Sequence, residues 1–486
     1  MIKDKYDFSE IENQIKQDIK LNKIPSVAMA VAKDGKIIYE KTFGYADIEN
    51  KIESTIETSY QLASVTKTMT ATAIMILDKK TDFNIYEPIE KYINPLKFKI
   101  FEGVSSDVKT IDILNHTSGL GTYMQIKYLD EDVASDDFET AFNKYGALFH
   151  PVGLISEYSN LGYGLLSYII EKRSSKTFSE FMEDELFKPL KMVNTFIDSP
   201  KKEGISIAKK YGSNLSPLPE MINNTKGAGN AYASVHDLIL FGMFNLKNNN
   251  EKLLDAKTID LMHSYINKYS MYHYYDSTYY GLGWYFKPND HGYKIIWHEG
   301  GMKGVSSMIK LIPEENIAIT VILNTSNQQY CQKITNQLSK IILPKYNPSQ
   351  MNEVAEYKSY TFDTTYFGDW KGIIKVRELD IPCTLKIQSD GNLIIDYLDY
   401  TYKSYFTQDS PIPNKTFLLT GLVNKNSFIG MFPGDLPSDD IRHEFSQFMS
   451  LKLFKNDNIL SGTIVALAAA DREYYAYPYY IRLEKQ

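Results

Sequence analysis

"YQLASVTKTMTATAIMIL" runs from Tyr60 to Leu77 and sets Ser64 and Lys67 one helical turn apart. No ionisable side chain lies between Lys67 and Asp78. Val65, Met69, Ala73, Ile76 and Leu77 recur at helical spacing, with small residues and threonines between them. The pattern predicts a helix buried on most sides, where a lysine is uncommon without a reason. Serine is a poor nucleophile until a base takes its proton, and lysine is a base only when neutral. Burial lowers an amine pKa by up to about 3–5 units. A lysine snorkelling out of an ordinary helix would leave the same Ser-x-x-Lys signature. That signature occurs five times, from Ser64, Ser106, Ser199, Ser206 and Ser307, and only the first opens a predicted buried helix.

The 486 residues exceed one ordinary core, so two or three domains are expected. With 43% hydrophobic and 23% charged residues the composition is globular, and a net charge of -7 gives no reason to bind nucleic acid or anionic membranes. Cys331 and Cys383 are the only cysteines and fall in different predicted domains, which excludes a disulfide framework and a cysteine-rich metal site. Runs such as "IAITVIL" (317–323) are far below the roughly 20 residues of a membrane span. "MIKDKYDFSEIENQIKQDIK" has no apolar signal core. As it stands the sequence implies a cytoplasmic protein, and an exported one if a leader has been removed. The 37 tyrosines cluster in "KYSMYHYYDSTYYGLGWY" and "REYYAYPYYIRL", readable as amphipathic strand and loop surface or as an aromatic-lined groove.

Ser9-Glu10-Ile11-Glu12 resembles a capping box opening a helix with Ile11, Ile15 and Ile19 on one face, stopped by Pro25. "SVAMAVAKDGKIIYEKTFGYA" reads as a hairpin turning at Asp34-Gly35. A helical, loop-rich middle follows over roughly residues 60–265, with a second capping box at Ser234-Val235-His236-Asp237. Strand character returns from Tyr280 and ends in the amphipathic helix "SNQQYCQKITNQLSKIIL". Strands at both ends of a helical insertion predict one antiparallel sheet assembled from distant sequence, flanked by helices and joined to a helical subdomain, an α+β fold. Pro344 and Pro348 mark a linker over 344–360, and alternating strands over 361–486 predict a small all-β barrel after a first domain of 1–343.

Two further motifs bear on the lysine. Tyr158-Ser159-Asn160 lies just before a predicted helix; a tyrosine near cations can relay a proton and an asparagine amide can hold a carbonyl. His298-Glu299-Gly300-Gly301 is the only His-x-Gly and lies between two predicted strands, where glycine admits a substrate backbone. It is no zinc motif, because position 302 is methionine where a histidine would be needed. His116, in "ILNHTSGLGTY", has no task beyond hydrogen bonding within its loop.

In order, "SVTK" (64–67), "LNHTSGL", "YSN" (158–160), "GAGNAYAS" and "HEGGMKG" resemble the serine β-lactamase and penicillin-binding-protein superfamily over about residues 8–342. The set is most similar to class C-like serine hydrolases, which include esterases, D-aminopeptidases and D-Ala-D-Ala carboxypeptidases. The tail after residue 360 resembles the lipocalin-like barrel some of these enzymes carry. The resemblance implies that Ser64 forms an acyl-enzyme, Lys67 takes its proton, Tyr158 relays protons and His298 tunes Tyr158. It further implies that Asn160 holds a substrate amide while the backbone N–H groups of Ser64 and Gly301 cradle the oxyanion, with Gly300 beside them. No metal or organic cofactor is called for. The expected partner is a small-molecule or peptide substrate, and a homo-oligomer is a further expectation. Many β-lactamases have Lys-Thr-Gly where this chain has His298-Glu299-Gly300, a form commoner among esterases and D-peptidases, and Asn230 stands where a glycine is usual. Hydrolysis of a D-configured peptide or small ester is the first reading. An acyl-transferring transpeptidase or macrocyclase, a β-lactamase, and a non-catalytic binding or assembly protein are the alternatives.

Overall fold

The computed structural model describes residues 6–21, 23–101, 104, 107–130, 136–198, 203–247, 252–266, 271–273, 278–348, 364–389, 393–398, 416–417, 419–424, 427–432, 434–437, 440, 448–470 and 473–486. Its first sheet does join the two distant parts of the sequence. Strands Ser26–Lys33 and Lys36–Asp47 form the hairpin, with Asp34 and Gly35 both at positive φ as the tight turn demands. Ser26–Lys33 then pairs antiparallel with Ile317–Leu323, from Val27 opposite Leu323 to Lys33 opposite Ile317. Nine strands result, all described ladders antiparallel.

Alternation along Ser26–Lys33 decides which helices cover which face. Val27, Met29 and Val31 pack with Ile11 and Ile15 of the first helix and with Cys331, Ile334 and Leu338 of the helix Gln328–Ile342. Ala28, Ala30 and Ala32 point the other way, into the larger core shared with helices Thr66–Lys80 and Val235–Asn245. Small residues there let a helix lie close: a Cβ on Gly242 would stand 3.0 Å from the Ala318 methyl carbon.

Ser234 caps its helix, accepting the Asp237 N–H at 3.1 Å, but the second half of the expected box is not made, because the Asp237 carboxylate takes the Asn194 N–H and the Thr195 hydroxyl instead. The box at Ser9 does not form. The helix Ser9–Lys20 starts after Phe8, and it is the Asp7 carboxylate that accepts the Ser9 N–H, at 2.9 Å. Asp7 has two acceptor oxygens and a negative charge suited to a helix N-terminus, so it outcompetes the hydroxyl. Ile11 and Ile15 are buried, whereas Ile19 is half-buried. The predicted linker lies, from residue 349, outside the described residues.

The tail forms a curled antiparallel sheet, a half-barrel, whose ladders run from Thr416–Phe417 at one end to Leu419–Asn424 at the other. Trp370, Ile374, Ile464, Ile481 and Leu483 fill its interior. One feature was not foreseen. The last strand, Glu473–Lys485, also pairs with Met124–Tyr128 from the helical region, Ile126 opposite Tyr474, and that strand pairs in turn with Met221–Asn223. The tail tyrosines make this junction: Tyr477 stacks on Tyr145 at 5.1 Å and Tyr480 on Phe101 at 4.0 Å. They are therefore interface residues rather than free surface. Of the other tyrosine cluster, residues 268–270 and 274–277 lie outside the described residues. Among the described residues no helix is long and apolar enough to cross a membrane.

Candidate active site

Ser64 sits on a 3-10 turn, Ala63–Val65, that leads into the helix Thr66–Lys80. Ala63 is held at φ 46°, a left-handed conformation that costs an L-residue about 1–2 kcal/mol. Thr66 ties the turn down, donating to Ala63 O at 2.7 Å and accepting the Ala231 N–H at 3.0 Å. Every residue from Thr66 to Leu77 is buried, as the charge-free sequence predicts, while Ser64 is only half-buried.

Lys67 is 0% exposed. Its Nζ lies 3.1 Å from Ser64 Oγ, 2.7 Å from Asn160 Oδ1 and 2.9 Å from Ala228 O. Burial holds its pKa well below the ordinary lysine range. The partner chemistry sharpens this. A neutral amine keeps two N–H groups, and Asn160 Oδ1 and Ala228 O can only accept. Both N–H groups are thus committed, and the lone pair is left for the one partner that can donate, the Ser64 hydroxyl. The carbonyl comes from the short helix Lys226–Gly229, which approaches closely because a Cβ on Gly227 would lie 2.4 Å from Tyr163 O.

Tyr158 and Asn160 flank the N-cap of the helix Asn160–Ser174, where Ser159 Oγ accepts the Gly162 N–H. Asn160 sends one amide N–H to Tyr123 O at 3.0 Å, so its side chain orients Lys67 as well as facing the site. Lys67 Nζ lies 4.7 Å from the centre of the Tyr158 ring. His116 packs tilted against that ring, centres 4.4 Å apart, and its Nδ1 accepts the Ser159 N–H at 3.1 Å, which leaves the ring proton on Nε2. Burial keeps His116 neutral.

His298 is buried, and its described hydrogen bonds run to Tyr280 and to a carbonyl rather than to Tyr158. Nδ1 donates to Glu299 O at 2.7 Å, so Nε2 accepts the Tyr280 hydroxyl at 2.9 Å. Tyr280 then meets Tyr158 edge to face, with ring centres 6.3 Å apart. Tyr280 thus bridges His298 to the Tyr158 ring. Burial pushes the His298 pKa down to about 3.

Beyond Trp297 the strand Tyr293–Met302 pairs only with Val305–Ile312 among the described ladders, which opens its other edge towards the Ser64 turn. A Cβ on Gly300 would stand 2.0 Å from Leu62 O and 2.4 Å from Ser307 Oγ, so only glycine fits. At Gly301 a Cβ would meet nothing within 4 Å. Asn230 has a clear task here: its amide donates to Asp198 Oδ1 at 2.6 Å and to Asn223 O at 2.9 Å, fixing the segment that supplies Ala228. Among the described residues no three His, Cys, Asp or Glu side chains converge as a metal site.

The profile of the Beta-lactamase family matches residues 11–339. Protein flp of Staphylococcus aureus (strain MW2) is 26% identical over 350 residues, covering 69% of this chain and 66% of that protein. The chain thus spans just under two thirds of this relative's length. Among solved structures, the octameric penicillin-binding protein homologue from Pyrococcus abyssi superposes with a TM-score of 0.60 at 21% identity, over 97% of this chain and 99% of that one. SurE crystallised with D-Leu gives 0.63 at 16% identity, over 100% and 99%. These likenesses extend the shared fold through the tail sheet.

Proposed function

The chain belongs to the Beta-lactamase family, and from that premise we propose that it hydrolyses small esters or D-amino-acid-containing peptides through an acyl-enzyme on Ser64. Membership carries serine acyl-enzyme chemistry with it. The observation that carries the assignment to this serine is Lys67 Nζ, sheltered from water and 3.1 Å from Ser64 Oγ, with both other partners obligate acceptors.

Lys67 takes the Ser64 proton as Oγ attacks the carbonyl carbon. The oxyanion forms between the backbone N–H groups of Ser64 and Gly301, where losing one donor typically costs about 2.7–4 kcal/mol of transition-state stabilisation. Tyr158 gives its own proton to the leaving group, the resulting tyrosinate takes one from the attacking water, and Lys67 hands its proton back to Ser64 Oγ as the ester breaks and the acid is freed. The second N–H of Asn160 holds the substrate amide. Neutral His298 and Tyr280 hold the Tyr158 ring in place. An uncharged imidazole offers no ion pair to a substrate carboxylate, which favours esters and peptide amides over β-lactams and free C-terminal carboxylates. The proposal includes a hydrolase unit of residues 1–343, a tail unit of 361–486, and an oligomer like that named for the Pyrococcus protein.

The test is covalent labelling by a fluorophosphonate, followed by a panel of esters and of D- and L-terminal peptides with and without an added amine. Ser64→Ala should abolish labelling and turnover, and label persisting on another serine refutes the assignment. A conjugate with the amine as main product would replace hydrolysis by acyl transfer.

A further inference from the structure

We propose that Lys452 and Thr463, both in the C-terminal sheet, are positioning residues for the chemistry at Tyr158, acting through the buried carboxylate of Glu157. The proposal rests on the acyl-enzyme reading above and adds that the tail sheet completes the site instead of merely adjoining it.

Glu157 precedes Tyr158 in the chain and is 4% exposed. Its Oε1 accepts the Thr122 N–H at 3.2 Å and the Thr463 hydroxyl at 3.0 Å, and its Oε2 lies 3.3 Å from His150 Nε2. Lys452 donates to the carbonyl of Ser156, the next residue back. Burial alone would raise the Glu157 carboxyl, but His150, the Lys452 charge and Thr463 hold it below its ordinary range, so it stays ionised. Thr122 makes the link to the site: while its N–H binds Glu157, its hydroxyl donates to Tyr158 O at 2.9 Å. The next residue, Tyr123, supplies the carbonyl that takes the Asn160 amide. Glu157 therefore clasps the two loops that carry Tyr158 and orient Asn160, and the Thr463 and Lys452 bonds that brace Glu157 and Ser156 come from more than 290 residues away in sequence. A buried carboxylate stripped of partners must find water or a proton, and either response moves this segment.

The reaction is p-nitrophenyl acetate hydrolysis by the full chain, with Ser64→Ala as control. Thr463→Val keeps the side-chain shape and removes only the hydroxyl; Lys452→Met removes the charge, and Lys452→Arg restores it. The expected result is a kcat at least tenfold lower in Thr463→Val and Lys452→Met with KM within twofold, and recovery to within threefold of wild type in Lys452→Arg. A purely structural support would instead lower the folded fraction and spare kcat per active site, counted by fluorophosphonate titration. Wild-type kcat per titrated site in Thr463→Val overturns the inference, whether or not Lys452→Met folds. Turnover surviving in Ser64→Ala sinks the underlying reading instead, so the two failures are told apart.

Discussion

Tyr280 gives its phenolic hydrogen to His298 Nε2 across 2.9 Å, because the opposite ring nitrogen is already donating to Glu299 O. That pairing fixes a neutral imidazole in the interior, with its pKa near 3. The group left to govern the acid side of the activity profile is Lys67, whose protonation removes the base. Activity should therefore fall as pH falls, and the same limb should persist in His298→Gln, since a neutral amide replaces a neutral ring. Measuring log kcat/KM against pH for both proteins checks this; loss of the limb in His298→Gln would move the titration to the imidazole.

Lys67→Arg should lose on the order of 10²–10⁴-fold in kcat, the usual worth of a general base. A guanidinium stays protonated and cannot receive the serine proton. Near wild-type turnover would remove Lys67 from the mechanism.

The two glycines of the motif should respond in opposite ways. Gly300→Ala drives a methyl carbon to 2.0 Å from Leu62 O, so expression and melting temperature should drop together with activity. Gly301→Ala meets open space and should keep the melting temperature within a degree or two while altering turnover. Thermal melts beside initial rates separate the cases.

Asn230→Gly restores the glycine usual in this motif and removes two hydrogen bonds from the Ala228 segment. The expected cost is about 1–2 kcal/mol in denaturant unfolding. A neutral result would show that Asp198 and Asn223 find other partners.

His263, buried against Trp284, should make the protein acid-sensitive. Burial lowers its pKa from 6.5 to about 3. Between those values the unfolded chain binds a proton the folded chain refuses, so stability declines as pH drops and is unaffected by this group above the window. His263→Gln should make the slope shallower by up to about 1.36 kcal/mol per pH unit, one proton's worth, in urea titrations at pH 4, 5 and 6.

Much of this architecture was readable from residues whose type and position are both constrained. The charge-free run after Lys67 foretold its burial, the Asp34-Gly35 turn the hairpin, and the alternating tail its strands. The partners of Lys67 were only half visible: Asn160 stood in a motif, whereas Ala228 contributes a backbone carbonyl, which no side chain announces. Tyr280 was lost among many tyrosines, and only the short tethers to His298 and Tyr158 distinguish it. The strand Met124–Tyr128 escaped notice because its pairing partner lies some 350 residues downstream and no local periodicity records such a match.

That shared strand bears on how the molecule comes apart. Hydrogen bonds from Met124–Tyr128 to the C-terminal strand stitch the two portions together independently of the covalent connection between them. A protease that cut the polypeptide between residues 349 and 363 would therefore leave two fragments still associated on a sizing column. Their separation would require denaturant, and heating should melt both in a single event.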